Sequence, residues 1–308
     1  MPTQTPPTLC PLPSIRFIKV TGADAEGFLN AQLSQDVAAA PSDRAPLAAW
    51  HDARGRVLAL LRALRRGEEW LLLAHGAEVG ELIRQLTVFV LRADVKLRDV
   101  SAEWRGAVTL GDIDRWLEGR GATLGPDPGD AASVDGMLVI RAGPTMAYLA
   151  ATEKAFRAIE TQFSVADSFA GELAEIRSGL VNVPPELAGR FSPQMLNLDR
   201  LGAVSFDKGC YPGQEVIART HNLGSVKRRV FRFSGRLGEA PPLGAALIDP
   251  AGTQVGEIVR AARASGGDVE LLAVVTNDAM DERLVCAGEP ETPLTRESLP
   301  GDEPGPHH

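Results

Sequence analysis

The sequence predicts an α+β protein: two α/β lobes followed by a small all-β unit. Three observations carry the prediction. Residues 15 to 100 switch between strand and helix periodicities in the order strand, helix, strand, strand, helix, strand, the order of a ferredoxin-like unit. A second succession of strands and helices follows over 107 to 178. From Arg229 only short strands bounded by turns remain, which in about sixty residues reads as a small antiparallel barrel. A chain of 308 residues suffices for about two domains and a sizeable core.

The elements follow in order. Met1 to Pro13 is rich in Pro and Thr, lacks the basic and apolar regions of a signal peptide, and reads as a disordered lead-in. Ile15 to Val20 alternates as a strand, and Asp24 to Leu33 is a helix with Ala25, Phe28, Leu29 and Leu33 on one face. Trp50 closes a strand, Arg54-Gly55 turns, and Val57 to Leu64 returns. Arg65 to Glu69 forms a hairpin turn before the buried strand Trp70 to Ala74. Ala77 to Phe89 fits a helix through Val79, Leu82, Ile83 and Leu86, and Val95 to Val100 ends the unit.

In the second unit, Ala107 to Leu110 is a strand, Ile113 to Glu118 a short helix and Gly125 to Ala131 a Pro/Gly/Asp loop. Met137 to Arg141 and Met146 to Ala150 are strands, and Thr152 to Phe163 and Ser168 to Ser178 are helical. A long irregular segment, Gly179 to Phe206, leads to a helix opening at Gly213 to Thr220. The barrel strands are Val230 to Phe233, Ala245 to Ile248, Gln254 to Arg263, Val269 to Val275 and Arg283 to Cys286, with turns at Asp249 to Gly252 and Ser265 to Asp268. From Gly288 the chain turns rich in Pro, Glu and Gly and reads as a disordered tail ending in His307 and His308. The predicted division is thus lead-in 1–14, α+β domain 15–228 with lobes at about 15–104 and 105–228, barrel 229–287 and tail 288–308.

Composition narrows the function. A formal net charge of −8 with one compact basic cluster, Lys227-Arg228-Arg229, argues against strong direct nucleic-acid binding. No run of about 18 apolar residues occurs, so no membrane span is expected. The three cysteines, at 10, 210 and 286, are far apart and form no Cys-x-x-Cys, which fits a reducing cytoplasm. Alone they cannot give an iron–sulfur cluster four thiolates. The histidines, at 51, 75, 221, 307 and 308, show no metal spacing, and no metal site is expected.

The richest stretch is Lys208-Gly209-Cys210-Tyr211-Pro212-Gly213-Gln214-Glu215. It sets a cysteine two residues after a lysine and just before a helix. Helix-terminal N–H groups and a nearby ammonium both favour the thiolate, the form that acts as nucleophile and metal ligand. Glu215 suits the positive end of the helix, and Gly209 and Gly213 serve the backbone.

This octet, with Arg219 after it, resembles the signature of the YgfZ family, folate-binding proteins related to the glycine-cleavage T protein, an aminomethyltransferase. Val20 to Ala25 with Phe28 to Gln32, Leu47 to Trp50 with Gly55-Arg56-Val57, and Phe191 to Leu198 are similar to further parts of that family's pattern, so the match spans about residues 15 to 287. The resemblance implies an aminomethyltransferase-like fold: two ferredoxin-like lobes and a C-terminal β-barrel around an opening that holds a folate.

Against that background Cys210 and Lys208 are the candidate chemical pair, with Gly209, Tyr211, Gly213 and Arg219 as signature residues. Gln214 and Glu215 either cap the helix or meet the ligand. Trp50, with His51 and Asp52, is either core or a flat face for the pterin of tetrahydrofolate. Asn30, Gln32 and Gln194 are polar candidates for its edge, and Arg228 or Arg229 suits its glutamyl carboxylates. The T protein's paired aspartates fall at Ala59 and Leu60 here, and its pterin-binding acid near Arg177 in the run Glu175 to Gly179. Both acids are missing, so aminomethyl transfer from a lipoyl protein is not expected. The resemblance implies instead an accessory protein that binds folate and supports iron–sulfur cluster assembly or repair and, through cluster enzymes, tRNA thiomethylation. Its partners would be iron–sulfur proteins or cluster-assembly factors. The alternatives are a one-carbon transferase with another acceptor and a non-catalytic scaffold.

Overall fold

The computed structural model describes residues 7–302. In chain order, strand β1 (Thr8–Pro11) precedes the first lobe: β2 (Ile15–Thr21), α1 (Ala25–Gln32), β3 (Leu47–His51), β4 (Val57–Arg66), β5 (Glu69–His75), α2 (Val79–Thr87) and β6 (Lys96–Asp99). The second lobe holds β7 (Trp104–Leu110), α3 (Ile113–Glu118), β8 (Ala131–Val134), β9 (Met137–Gly143), β10 (Met146–Thr152), α4 (Glu153–Glu160), β11 (Ser164–Val165) and α5 (Ser168–Arg177). An irregular segment leads to α6 (Gln214–Leu223), and the last sheet is β12 (Arg228–Gly235), β13 (Ala246–Ile248), β14 (Gln254–Arg263), β15 (Val269–Thr276), β16 (Val285–Cys286) and β17 (Thr295–Glu297).

The first sheet runs β3-β4-β5-β2-β6. Its β6-β2-β5-β4 part has the ferredoxin-like order, with β3 added at the edge. The second sheet runs β11-β1-β7-β10-β9-β8, the same order with β1 inserted between β11 and β7. The third, β16-β13-β14-β15-β12-β17, is antiparallel and curls into a half-barrel.

Both faces of each sheet are buried, and strand periodicity sorts the side chains. On β5, Leu71 and Leu73 face a central cluster, while Trp70, Leu72 and Ala74 face the helix side with α1 and α2. On β10, Tyr148 and Ala150 face the centre, and Ala147, Leu149 and Ala151 face α3 and α4. On β15, Leu272 and Val274 face the centre, and Leu271, Ala273 and Val275 fill the half-barrel. The period of two thus assigns alternate residues to a shared inner core and a private outer one. It also explains the near-continuous apolar runs.

Two expectations are corrected. The lead-in 1–14 is not wholly unstructured. Thr8 to Pro11 pairs antiparallel with Leu110 to Ala107, and Thr8 and Leu9 pair parallel with Ser164 and Val165. Cys10 is therefore a buried strand residue. The tail from 288 likewise contributes β17, which pairs with Arg232 to Ser234, and buries Leu294 and Leu299. His307 and His308 lie outside the described residues. Among the described residues no helix is long and apolar enough to cross a membrane.

Candidate functional site

The signature octet is docked on two parts of the first lobe. Leading into it, residues 202–205 attach to the chain just past α1. Ser34 Oγ donates to the Ala203 carbonyl at 2.6 Å, Ser205 N to the Ser34 carbonyl at 2.9 Å, and Gln35 Nε2 to the Gly202 carbonyl at 2.6 Å. Lys208 completes the attachment. Its ammonium donates to the carbonyls of Asn30, Leu33 (2.8 Å) and Gln35 (3.0 Å), and it lies 3.2 Å from Asn30 Oδ1. Carbonyls at a helix C-terminus lack intrahelical partners and carry partial negative charge, so a cation belongs there. Burial pulls the Lys208 pKa down to about 8 against the opposing charge of Asp36.

This corrects the pairing of Lys208 with the thiol. The ammonium faces four oxygen acceptors around the end of α1, and no hydrogen bond joins it to Cys210 among the described residues.

The second attachment is Gly213, at φ 77, which opens α6. A Cβ there would lie 2.6 Å from the Asp52 carbonyl oxygen and 2.6 Å from Gly55 Cα. The loop and the β3–β4 hairpin therefore touch backbone to backbone, which only glycine allows. Gly209 is different: it has neither a positive φ nor any atom within 4 Å of an added Cβ, so the backbone does not require glycine there.

Between the attachments Cys210 is exposed, whereas Cys10 and Cys286 are buried. Burial pushes both buried thiols up, Cys286 to about 11, which makes them poor nucleophiles. Tyr211 turns inward, 6% exposed, its ring 6.0 Å from that of His51. The Tyr211 hydroxyl, both ring nitrogens of His51 and Gln194 Oε1 are buried with no hydrogen-bond partner among the described residues. Gln194 Nε2 donates to the Ile217 carbonyl at 2.9 Å. Burial lowers the His51 pKa to about 4 against Asp52 and raises that of Tyr211 to about 12. Buried polar atoms without protein partners call for water or a ligand.

The remaining candidates divide. Trp50 is 3% exposed and belongs to the first lobe's core; its indole N–H reaches Gln32 Oε1 at 3.4 Å, and its ring meets Phe89 edge-on. Asn30 Oδ1 holds the Val37 N–H as well as Lys208. Arg229 forks onto Asp199 at 3.0 and 2.9 Å and also donates to the Gln194 carbonyl, so it is a brace rather than a free carboxylate receptor. Arg228 lies 3.8 Å from Glu257. Gln214 Nε2 donates to the Lys208 carbonyl at 3.3 Å, while Glu215 and Arg219 are exposed on α6.

A group that sequence reasoning missed lies where the three units meet. Glu175 of α5 is fully buried; it accepts from Tyr148 Oη at 2.6 Å and from Arg260 of β14 at 2.5 Å. His75 Nδ1 stands 3.7 Å from it, and Arg62 lies over the Tyr148 ring at 5.2 Å. Burial pushes the Glu175 carboxyl up, but Arg260, His75 and Tyr148 outweigh it and hold the pKa at about 2. Burial also pulls the His75 pKa down, which favours its neutral form. Arg177, at the position matched to the T protein's acid, points the other way and pairs with Glu270 at 2.5 Å. Ala59 and Leu60 are packed apolar residues at 1% and 0% exposure. The one sequence signal for the network was a carboxylate between Leu173 and Ile176 on the inward stripe of its helix.

No family model matches the chain. It is 28% identical over 316 residues to the tRNA-modifying protein YgfZ of Yersinia enterocolitica, covering 97% of this chain and 93% of that protein. It is 29% identical over 310 residues to the protein of the same name from Edwardsiella ictaluri, covering 96% and 92%. Its fold matches the glycine cleavage system aminomethyltransferase T from Bartonella henselae with a TM-score of 0.74 at 16% identity, over 97% of this chain and 87% of that one. The resemblance read from the octet therefore extends along nearly the whole chain, and the aminomethyltransferase-like fold is as expected.

Proposed function

We propose that this chain, akin to the YgfZ proteins over almost its full length, is a cytoplasmic folate-binding accessory protein. It supports iron–sulfur cluster assembly or repair and, through cluster enzymes, tRNA thiomethylation. The observation that carries the reading is the placement of Cys210, the one exposed thiol of three, between two rigid attachments. A sulfur held out on a fixed backbone suits contact with a partner better than chemistry in a closed pocket. As a ligand its thiolate would donate to iron in a partner's labile cluster. As a nucleophile it would attack the sulfane sulfur of a partner's persulfide, which forms a persulfide on Cys210 and releases the partner's thiolate.

The residues behind the thiol fit a folate. Tyr211 Oη and the His51 nitrogens can donate or accept, and Gln194 Oε1 accepts; all lack partners. A polar heterocycle would satisfy such groups, and when bound it would supply a reductant or a one-carbon carrier. Apolar Ala59 and Leu60 and the outward Arg177 leave no acid at the positions matched to the T protein's, so the accessory role is favoured over aminomethyl transfer.

The test is rescue of cells lacking the gene with wild-type protein or Cys210→Ala, read by cluster-dependent enzyme activity and tRNA thiomethylation. Restoration by wild type and failure of the variant is expected. Full rescue by the variant overturns the thiol role and leaves a scaffold. Turnover of folate to a one-carbon product by the purified chain would move the assignment to a transferase.

A further inference from the structure

A hollow of about 820 Å³ opens at the seam between the first two lobes. A second, of about 400 Å³, adjoins it, and Trp104 lines both. Together they make a groove with Trp104 at its middle. The larger hollow exists because β1 leaves its neighbour early. Leu12 N still donates to the Gly106 carbonyl at 2.9 Å, but Pro13 has no N–H with which to continue, and Ile15 N turns back to the Leu12 carbonyl at 3.1 Å. Trp104 and Arg105 are therefore paired in the sheet with β10 and not with β1. The link Pro11 to Arg16 borders the hollow on one side, and Phe156 and Arg157 of α4 on the other.

The lining combines an apolar floor with a charged rim. Leu12, Ile15 and Phe156 are buried, and Trp104 is half-buried, with the Phe17 ring 5.8 Å and the Arg66 guanidinium 5.1 Å from its own ring. Arg16, Arg105 and Arg157 border the larger hollow, and Lys19, Arg66 and Arg98 the smaller. Against these six cations stand four carboxylates, Glu153 and Glu160 in the first hollow and Glu69 and Glu103 in the second. The groove is thus locally positive in a chain whose net charge is −8. Arg105 and Arg157 share Glu153, and these pairs are exposed, so they contribute little and exchange partners readily. Arg16 makes no ion pair or side-chain hydrogen bond among the described residues.

Aromatic and Arg side chains are the types that anchor protein interfaces, and Arg receives a carboxylate through two parallel bonds. The four carboxylates favour a protein over a nucleic acid, because each would meet a phosphate backbone with like charge. The positive excess selects an acidic partner. The groove is also remote from the thiol. Strand β4, ten residues long, carries the hairpin under Gly213 at its Val57 end and Arg66 at the other, a separation of about 30 Å. A segment held in the groove does not touch Cys210, so the inference is independent of the folate and thiol readings.

We propose that this groove binds an extended acidic segment of a partner protein, its carboxylates pairing with Arg16, Arg105 and Arg157 and an apolar side chain lying against Trp104.

The test is fluorescence anisotropy of the full chain with three labelled probes: a short peptide of Glu alternating with Pro and Phe, its counterpart with Lys in place of Glu, and a single-stranded oligouridylate. Wild type should bind the acidic peptide at least tenfold more tightly than either of the others. The double variant Arg16→Glu, Arg105→Glu should weaken the acidic peptide at least tenfold at an unchanged urea midpoint. Should that variant not fold, Arg16→Glu alone carries the test, since the exposed Arg16 side chain has no partner to lose. Absence of acidic-peptide binding, or equal binding by the reversed chain, overturns the proposal. Tighter binding of the oligouridylate overturns it in favour of a nucleic-acid groove. A concentration-dependent dimer in sedimentation that the double variant abolishes overturns it in favour of a second copy of this chain.

Discussion

Replacing Glu175 by Gln should be among the most damaging single changes in this protein, and its cost should depend on pH. The carboxylate is fully buried and joins the guanidinium of Arg260 to the hydroxyl of Tyr148. Two routes give the magnitude. Removing one member of a buried pair leaves the other charge uncompensated, at a cost of about 3–5 kcal/mol. Independently, a carboxyl held at about 2 against an ordinary 4.5 contributes roughly 3 kcal/mol, at about 1.4 kcal/mol per tenfold in proton affinity. The sign follows from the depressed value. The contribution is complete above pH 4.5 and is lost as pH falls toward 2. Urea unfolding at pH 7 should therefore show Glu175→Gln less stable than wild type by about 3–5 kcal/mol. The difference should shrink by roughly 3 kcal/mol by the acid end of the window. A double variant, Glu175→Leu with Arg260→Met, should recover much of the loss, because an apolar replacement removes the unpaired charge. A pH 7 difference below about 1 kcal/mol, or one that stays constant into acid, would refute the account of the network.

Three further outcomes are expected. Gly213→Ala should cost at least about 1–2 kcal/mol from its left-handed φ alone, and more from collision with the Asp52 and Gly55 backbone; Gly209→Ala should stay within about 0.5 kcal/mol, and equal effects in denaturant melts would contradict the contrast. Lys208→Met should lose about 2–4 kcal/mol with its charged hydrogen bonds while the alkylation rate of Cys210 changes less than about threefold, since the ammonium faces α1; a large fall in thiol reactivity at unchanged stability would restore the ammonium–thiol pairing. In native protein a disulfide reagent should label one thiol rapidly and the other two only on unfolding, and Cys210→Ser should abolish the rapid phase.

Local patterning made the lobes legible. The helices over 25–32, 113–118 and 168–177 and the hairpin over 57–75 stand within a few residues of their predicted places, because each has its own periodicity and turn. What remained hidden depends on distant partners. Thr8 to Pro11 is too short for periodicity and becomes a strand only between β7 and β11. Trp50 could equally have faced a ligand, because all five residues of β3 are buried and alternation says nothing of which face is core. Lys208 lies two positions from Cys210, but its ammonium reaches oxygens 173 to 178 residues earlier in the chain. Glu175 looked like an ordinary helical carboxylate, and its burial is made tolerable by distant partners, Tyr148 and, 85 residues onward, Arg260.

The insertion of β1 has a consequence for the order in which the chain is made. Its partners are β7 and, more distantly, Ser164 and Val165. At about 5–20 residues per second, a ribosome delivers Val165 on the order of ten to thirty seconds after Leu9. Until then β1 has no complete slot, and Leu9 and Cys10, buried in the finished fold, face solvent or a chaperone. The first lobe can close on its own strands during that interval, while the second cannot seal its sheet until β1 joins it. Assembly of the second lobe is thus deferred by topology, and mutations that slow the capture of β1 should lower the yield of soluble protein more than the stability of what folds.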